Sequence, residues 1–383
     1  MSTLPPHLQP RGRGAGSNAS GRFEAQARAL EDDGWGVHEE EVGQVPTELR
    51  PMAARSTLTY NDSPDLSFDR TINPYKGCEH GCFYCYARPN HAYLGLSPGL
   101  DFETRIFFKP DAASTLKREL DNPRYRPAPI VIGGDTDGWQ PAEKKLRITR
   151  SIIEVLEAYR HPFAFVTKSA LVLRDLDILE RMAKQKLVRA CVSVTTLDRK
   201  LARDMEPRAA TPERRLDAIA ALADAGVPVT VMTAPLIPSL NDHEIEAILE
   251  RAADAGASGA GYVLLRLPLE LKDLAREWLE THRPGSAKHV MSLIRQMRDG
   301  RDYDPAWGVR GVGTGPYAEL TAKRFRAAAR RLGLNTVSFA LRTDLFRRPA
   351  KNGQQDLFGE GGAPAPAPTA LKEKMKGIAH EAD

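Results

Sequence analysis

Three of the four cysteines in this 383-residue chain lie within a short stretch, and their spacing is suited to metal chemistry. Cys78, Cys82 and Cys85 follow the pattern C-x3-C-x2-C, and Gly77 and Gly81 give the loop freedom to converge the thiolates on one centre. A zinc ion would normally take four protein ligands. A [4Fe–4S] cluster held by three cysteines leaves one iron open for chemistry. The spacing therefore favours the cluster, with a zinc knuckle completed by a distant ligand as the alternative.

The rest of the sequence is typical of a globular chain. Apolar residues make up 42% and charged residues 27%, which suits a packed core and excludes collagen, coiled coil and wholesale disorder. No apolar run approaches the roughly 18 residues of a membrane span, and the polar start lacks the apolar region of a signal peptide. We therefore expect a cytoplasmic protein without a membrane partner. The net charge of +4 permits a nucleic-acid partner but does not require one.

Composition divides the chain into three parts. Residues 1–60 are rich in Gly, Ser, Pro, Arg and acidic residues, which predicts a mostly disordered N-terminal extension. Residues 61–345 carry the folded core, whose C-terminal part, from about Glu270, reads as helical. Residues 346–383 contain an Ala-Pro stretch and predict a flexible tail.

Within the core, short β-branched or aromatic runs alternate with segments of helical period. The predicted strands are Arg105–Lys109, Ile130–Gly134, Phe163–Lys168, Val188–Thr196, Val227–Pro235 and Gly259–Leu267. The predicted helices are Glu143–Tyr159, Leu173–Lys184, Thr211–Ala225 and Asn241–Ala255. Such repetition indicates parallel strands with right-handed crossovers, in an open sheet or in a full or partial barrel. In either architecture, ligands bind at the carboxyl ends of the strands.

The motif Cys78-x3-Cys82-x-Tyr84-Cys85 resembles the signature of the radical S-adenosylmethionine (SAM) superfamily, including the aromatic residue before the third cysteine. Over about residues 60–345, further segments resemble the branch around spore photoproduct lyase. They are Tyr75–Cys78, Gly133–Asp137, Gln140–Glu143, Thr167–Lys168, Ser193–Thr196, Glu206–Ala209 and Ala234–Asp242. The resemblance implies an α/β fold, a partial (β/α)6 TIM-type barrel of the radical SAM kind with extra C-terminal helices and disordered tails. The cluster loop would follow its first strand.

The resemblance also implies a role for individual residues. Cys78, Cys82 and Cys85 would hold three irons of a [4Fe–4S] cluster, and SAM would bind the fourth. The remaining implied SAM contacts are Tyr84 on the adenine, Gly133 and Gly134 beside the methionyl part, Thr136 or Asp137 on the ammonium, Lys168 on the carboxylate, and Ser193 on the ribose. A zwitterionic ligand needs one anion and one cation on opposite sides, and these candidates lie at predicted strand ends.

One departure from the branch concerns the hydrogen donor. Spore photoproduct lyase has a further cysteine near the end of the strand that corresponds to Ile130–Gly134, and here no cysteine occurs there. Cys191 could replace it if its strand directs the thiol into the barrel mouth, although a buried structural thiol is the commoner outcome. Tyr75, Tyr84 and Tyr86 are other conceivable donors, and aromatic packing explains them equally well.

Two features near the C-terminus suggest partners. Residues 317–351 are strongly basic, which indicates either a solvated helix face or a phosphate-binding surface. The sequence Gln354-Gln355-Asp356-Leu357-Phe358 resembles the peptide by which bacterial repair proteins bind the DNA sliding clamp. Leu357 and Phe358 would fill an apolar cleft while Gln354 sets the register.

The sequence therefore predicts a radical SAM enzyme of lyase-like type that reductively cleaves SAM to form a 5′-deoxyadenosyl radical, with a nucleic-acid substrate as in DNA repair. It would need an electron donor such as flavodoxin or ferredoxin. Two alternatives stay open. One is a radical SAM enzyme with a protein or metabolite substrate, and the other is a non-catalytic scaffold with a structural metal knuckle.

Overall fold

The computed structural model describes residues 11–24, 45–337 and 339–349. The strands are β1 (Glu48–Pro51), β2 (Leu58–Tyr60), β3 (Arg70–Ile72), β4 (Tyr75–Lys76), β5 (Arg105–Phe108), β6 (Ile130–Ile132), β7 (Phe163–Thr167), β8 (Val188–Ser193), β9 (Val229–Leu236) and β10 (Gly259–Leu264). The α-helices are α1 (Asp101–Thr104), α2 (Ala112–Asp121), α3 (Glu143–Leu146), α4 (Ile148–Ala158), α5 (Leu176–Ala183), α6 (Arg199–Met205), α7 (Pro212–Asp224), α8 (Ile245–Asp254), α9 (Leu271–His282), α10 (Pro284–Gln296) and α11 (Gly315–Arg331). Short 3-10 helices cover Arg88–Leu94, Ala170–Asp175 and Asp242–Glu244.

The main sheet of the described residues has the order β10-β9-β8-β7-β6-β3-β2. Strands β3, β6, β7, β8, β9 and β10 are parallel to their neighbours, and β2 joins the edge antiparallel to β3. Helices connect the successive parallel strands from β6 onward, as a right-handed crossover requires. This arrangement confirms the predicted partial (β/α)6 barrel.

The alternation of residues along β8 separates the two faces of the barrel wall. Val188, Ala190 and Val192 belong to the main apolar core beneath the outer helices. Because successive strand residues point to opposite faces, Cys191 and Ser193 face the barrel interior. The residues at strand ends on the inner face are therefore the ones that can meet a ligand.

Two of the sequence predictions need correction. The predicted strand at Arg105–Lys109 exists as β5, but it pairs with β1 and β4 in a separate three-stranded sheet. The first barrel strand is instead β3, which was not predicted because its three residues carry no apolar run. The helix predicted over Glu143–Tyr159 is divided into α3 and α4 at Arg147, which has a positive φ of 54°.

The N-terminal extension is more ordered than its composition predicts, for the residues described. Ala15 is buried, and the amide groups of Gly14 and Ala15 donate to the buried carboxylate of Glu103. Further along, β1 pairs with β5 in parallel. A polar segment of this kind is held by a carboxylate distant in sequence, which composition alone cannot reveal.

The helices α9 and α10 form a second apolar core with the cysteine loop. The ring of Phe83, between Cys82 and Tyr84, stacks on Trp278 of α9 with centroids 3.9 Å apart. The helical C-terminal part that the sequence predicts from about Glu270 thus covers the loop that carries the cysteines.

The final described segment, 339–349, crosses the amino ends of the barrel strands. The Arg342 amide donates to the Lys186 carbonyl before β8, and the Arg347 amide donates to the Tyr159 carbonyl before β7. Residues 346–349 are thus ordered, unlike the tail predicted there, and the proposed clamp-binding peptide lies outside the described residues. No helix in the described part of the chain is long and apolar enough to cross a membrane.

Candidate radical SAM site

The cysteine loop follows β3 and β4 and is held in place by hydrogen bonds from several elements. The Gln140 amide bridges the loop, since its Nε2 donates to the Gly77 carbonyl at 3.2 Å and its Oε1 accepts from the Glu79 amide at 2.9 Å. The Cys78 amide donates to the Phe102 carbonyl at 2.9 Å. These contacts within the protein hold the loop backbone in place.

The thiols of this loop suit an iron–sulfur cluster. Cys78 and Cys82 are buried and Cys85 is partly exposed. Burial raises the pKa of all three thiols, that of Cys82 to about 12. A metal-bound cysteine must lose its proton, so the thiolates need a strongly positive centre to compensate for burial. Among the described residues no three His, Cys, Asp or Glu side chains are grouped to hold a single ion, and a cubane cluster instead takes each thiolate on a different iron.

A buried charge network lies beside the loop and centres on Glu206. Its carboxylate accepts hydrogen bonds from the Tyr84 hydroxyl, from the Thr195 hydroxyl at 2.7 Å and from the Arg215 guanidinium. Burial alone would raise the pKa of Glu206, but Arg215 and Lys168 lower it to about 2. Glu206 is therefore ionised, and it fixes the orientation of the Tyr84 ring.

Lys168 brings its positive charge to the cysteine loop. Its Nζ lies 5.7 Å from the centroid of the Tyr84 ring. Burial acts to lower the pKa of Lys168, but Cys82 and Glu206 outweigh it, so the pKa is raised. Lys168 thus keeps its positive charge at the end of β7. The expected contact with the SAM carboxylate requires that charge.

Asp137 and Thr136 have partners within the protein. The Asp137 carboxylate accepts from the Thr167 hydroxyl at 2.8 Å and from the Lys168 amide at 2.7 Å, and His80 lies 3.4 Å away. The buried Thr136 hydroxyl donates to the Tyr75 carbonyl at 3.1 Å. The Asp137 contacts join the loop after β6 to the end of β7, and the Thr136 contact joins it to β4. A contact of either residue with the SAM ammonium stays a prediction.

The two glycines after β6 allow close packing of the backbone. Gly133 has a φ of +87°, and a Cβ there would lie 2.7 Å from the Val166 carbonyl oxygen. Gly134 accepts a hydrogen bond from the Tyr86 hydroxyl through its carbonyl. Gly133 is thus required by the neighbouring strand, in addition to any approach by SAM.

Ser193 and Cys191 lie on the inner face of β8 at different depths. Ser193 is level with Met232 of β9, and Cys191 is level with Thr230. The Cys191 thiol is hydrogen-bonded to Thr230, and burial raises its pKa. Cys191 therefore faces the barrel interior, two residues deeper than Ser193.

The structure does not bring Tyr75 to the barrel mouth. Its side chain is fully buried in the main core, and its hydroxyl donates to Glu143. The same carboxylate accepts from the Thr149 amide at 2.9 Å. Tyr75 thus anchors the start of α4 through Glu143, and the catalytic role predicted for it stays a prediction.

At the mouth, the loop that contains Trp307, Arg310 and Gly311 closes the open side of the barrel. The Arg310 guanidinium donates to Asp65 at 2.6 Å and to Ser63 at 2.7 Å, and the Gly311 carbonyl accepts from the Leu264 amide at 2.8 Å. The Arg310 guanidinium carbon lies 4.1 Å from the centroid of the exposed Trp307 ring. The loop thus links β10 to the segment before β3 and presents an aromatic ring.

Tyr86 and Arg266 face each other next to the cysteine loop. The Arg266 guanidinium lies 5.0 Å from the centroid of the Tyr86 ring, which is 44% exposed. The Nε atom of Arg266 is buried with no hydrogen-bond partner among the residues that the structure describes. Desolvation of the hydroxyl raises the pKa of Tyr86, Asp135 adds to the rise, and Arg266 and Arg310 oppose it. A guanidinium with an unpartnered Nε, just beyond the end of β10, is suited to an anionic group of a ligand.

Sequence reasoning missed several residues of this site. Glu206 stood inside a segment that resembled the family, which was a signal for its importance. Gln140 stood in another such segment. Arg266 carried no signal, because its role depends on where the end of β10 meets the cysteine loop.

Comparison with known proteins identifies the class. The profile of the radical SAM superfamily matches residues 72–252. An uncharacterized protein of Mycobacterium tuberculosis is 36% identical over 233 residues, which cover 60% of this chain and 68% of that protein. The chain belongs to the radical SAM superfamily. Its cofactors are a [4Fe–4S] cluster and SAM, and the alternatives of a zinc knuckle and a non-catalytic scaffold are set aside.

Two solved structures share its fold. Spore photoproduct lyase carrying a cysteine-to-serine substitution has a TM-score of 0.55 at 18% identity, covering 81% of this chain and 86% of that chain. Spore photoproduct lyase complexed with dinucleoside spore photoproduct has a TM-score of 0.53 at 17% identity and the same coverage. At such identities the likeness shows the fold alone.

Proposed function

We propose that this radical SAM enzyme acts on a nucleic acid held at the barrel mouth. The observation that carries the proposal is two pairs of side chains: Tyr86, which directly follows Cys85, faces Arg266, and Trp307 faces Arg310. Exposed aromatic rings next to guanidinium groups suit stacked bases and phosphates. The complex of spore photoproduct lyase with a dinucleoside photoproduct, on the same fold, supports a substrate of this class.

The residues of the site have distinct roles in this proposal. Cys78, Cys82 and Cys85 would hold the cluster, which with SAM supplies the radical chemistry. Lys168 offers its ammonium to the SAM carboxylate. The network behind Tyr84 keeps the site rigid and excludes water. An electron donor such as flavodoxin or ferredoxin completes the proposed system.

The proposed reaction needs a hydrogen donor. The segment 132–137 contains no cysteine, so the photoproduct lyase reaction itself is not part of the proposal. A thiol on the inner face of the barrel wall can return a hydrogen atom to a substrate radical, and Cys191 is proposed in that role. Its raised pKa keeps the thiol protonated, which hydrogen-atom transfer requires.

A protein or metabolite substrate is the second candidate, and the placement of the basic C-terminal segment favours it. Arg324 pairs with Glu246, and Arg342 pairs with Asp344. Arg348 donates to backbone carbonyls at the end of α2, near the amino ends of the strands. These three arginines are therefore engaged by partners within the protein, and the support for nucleic acid comes from the mouth residues.

Binding of oligonucleotides separates the two candidates. The reconstituted enzyme with SAM is titrated with single-stranded DNA and RNA at two salt concentrations, because phosphate contacts weaken as salt rises. Loss of one stacked base costs about 1–3 kcal/mol, so Trp307→Ala should weaken binding by at least about fivefold. Arg266→Gln should reduce the salt dependence.

The control variant is Lys323→Ala, since Lys323 is exposed on α11 and lies outside the mouth. Formation of 5′-deoxyadenosine by wild type, and its loss in Cys82→Ala, verifies that the enzyme tested is active. An active enzyme that binds no oligonucleotide, or binds it equally well in all variants, contradicts the nucleic-acid proposal and favours the second candidate.

A further inference from the structure

The N-terminal strap, defined as residues 11–24, lies against the cysteine loop. Its main anchor is Glu103, whose carboxylate is fully buried. The Gly14 amide donates to Glu103 Oε2 at 2.9 Å, and the Ala15 amide donates to Oε1 at 2.8 Å. Both hydrogen bonds go to a buried carboxylate and are charge-assisted, so they bind the strap backbone firmly to Glu103.

The strap touches the loop at a pair of glycines. A Cβ on Gly14 would lie 1.6 Å from the carbonyl oxygen of Gly81, which stands between Cys78 and Cys82. A Cβ on Gly81 would in turn lie 2.7 Å from Glu103 Oε2 and 3.3 Å from the Gly14 nitrogen. Because these atoms are backbone atoms or a buried carboxylate, no side chain at position 14 fits without displacing the cysteine loop.

Glu103 connects the strap to a second point of the loop. Its carboxylate also pairs with the fully buried Arg88, and Arg88 Nε donates to the Cys82 carbonyl at 2.8 Å. One carboxylate therefore holds Gly14 and Ala15 on one side and, through Arg88, a ligand residue on the other. Displacing the strap would leave part of this buried charge network without partners.

Arg13 provides a third connection. Its guanidinium donates to the Glu103 carbonyl at 2.9 Å and to the Thr47 hydroxyl at 3.0 Å. The Thr47 hydroxyl donates in turn to Glu79 at 2.7 Å, and Glu79 directly follows Cys78. The strap thus reaches the loop next to its first cysteine as well as at its centre.

We propose that the N-terminal strap is a positioning part of the cluster-binding site, which fixes the conformation of Cys78–Cys85 and shields the cluster from solvent and oxygen. The proposal depends on the cofactor and not on the substrate. Strap docking and cluster retention must then support each other, because two binding events coupled through one structure are reciprocal. Removing the cluster loosens the strap, and displacing the strap loosens the cluster.

The first test compares Gly14→Val with Ala19→Val in the full-length reconstituted protein. Ala19 is exposed in the same strap, so its substitution is the matched control. Gly14→Val should lose iron and sulfide to a chelator several-fold faster than wild type, and its iron–sulfur absorbance should bleach several-fold faster in air. Glu103→Gln should behave in the same direction. Loss rates equal to those of Ala19→Val would overturn the proposal.

The second test uses the wild-type chain and does not depend on a variant folding. Trypsin can cleave after Arg13, and the strap should resist cleavage when the cluster is present. The apo protein should be cut there several-fold faster, while a reference site elsewhere is cut at an unchanged rate. Equal cleavage after Arg13 with and without cluster would contradict the coupling. Neither readout involves substrate, so failure of the proposed nucleic-acid activity leaves these outcomes unaffected.

Discussion

At the scale of single residues, the arrangement around Glu206 shows how charge is balanced beside a metal site. Glu206 and Arg215 are both buried, and each would be costly without the other. The carboxylate also accepts from Tyr84 and Thr195, so its lone pairs are used. Lys168 adds a positive charge that the thiolates of a loaded cysteine loop can balance. The network thus fixes an aromatic ring and a cation next to the cluster position.

Replacing Glu206 with glutamine should destabilise the protein by about 3 kcal/mol, since it leaves the buried charge of Arg215 unpaired. The matched control is Glu213→Gln, where the carboxylate is exposed and 3.8 Å from Arg199, and it should change stability by less than about 0.5 kcal/mol. Denaturant unfolding measures both. Equal effects of the two variants would show that the Glu206 pair contributes no more than a surface pair.

The ionisation of Glu206 should make the stability of the protein depend on pH. The folded pKa of Glu206 is depressed to about 2, below its usual value of 4.5. Its contribution to stability is therefore fully present above about pH 4.5 and is lost as the pH falls toward 2. Between pH 5 and pH 3.5 the wild type should lose about 1 kcal/mol that Glu206→Gln does not lose. Parallel stability profiles of the two proteins would contradict this assignment.

At the scale of elements, the turn after β6 depends on a glycine for two separate reasons. Gly133 and Gly95 both have positive φ, at 87° and 66°. A Cβ on Gly133 would meet the Val166 carbonyl oxygen, whereas a Cβ on Gly95 would meet nothing within 4 Å. Gly95→Ala should cost about 1 kcal/mol through backbone conformation alone. Gly133→Ala should cost more, because β7 must also shift.

Thermal or denaturant unfolding of the two glycine variants checks this expectation. The Gly133 variant should also bind SAM more weakly, measured by equilibrium dialysis, because the shift moves the end of β7 that carries Lys168. The Gly95 variant should retain SAM affinity. An equal loss of stability in both variants, with SAM binding unchanged, would show that the close contact with Val166 is relieved without cost.

The elements that could be predicted from the sequence are those that a local pattern of residues marks. The strands β6 to β10 carry β-branched or aromatic runs, and α7 begins with Thr211 as a cap and Pro212 in its first turn. In contrast, β3 is three residues long and depends on pairing with β6. The cysteine ligands were evident from spacing alone, whereas Arg266 and the strap residues acquire their roles from contacts across long sequence separations.

At the scale of the whole molecule, the two ends of the barrel are closed by different means. The carboxyl end is closed by the cysteine loop, the strap and the loop that carries Trp307. The amino end is crossed by segment 339–349, where Phe346 packs on Tyr125, Tyr159 and His161. Since ligands of a parallel barrel bind at the carboxyl end, the amino-end closure should serve stability alone.

Phe346→Ala tests whether the closure of the amino end contributes to stability without affecting the site at the carboxyl end. The ring is partly buried on the main core, so its loss should cost about 2 kcal/mol of unfolding free energy. Burial also lowers the pKa of His161, beside Phe346, to about 4, so the imidazole is neutral at pH 7 and packs as an uncharged ring. Arg342→Ala is the control, because its pair with Asp344 is exposed and its loss should change stability much less than the loss of the Phe346 ring. Iron content, SAM affinity and 5′-deoxyadenosine formation of the Phe346 variant should equal those of wild type below its unfolding temperature. A variant of normal stability would contradict the packing role, and one that lost iron while still folded would show that the two ends of the barrel are coupled through the sheet.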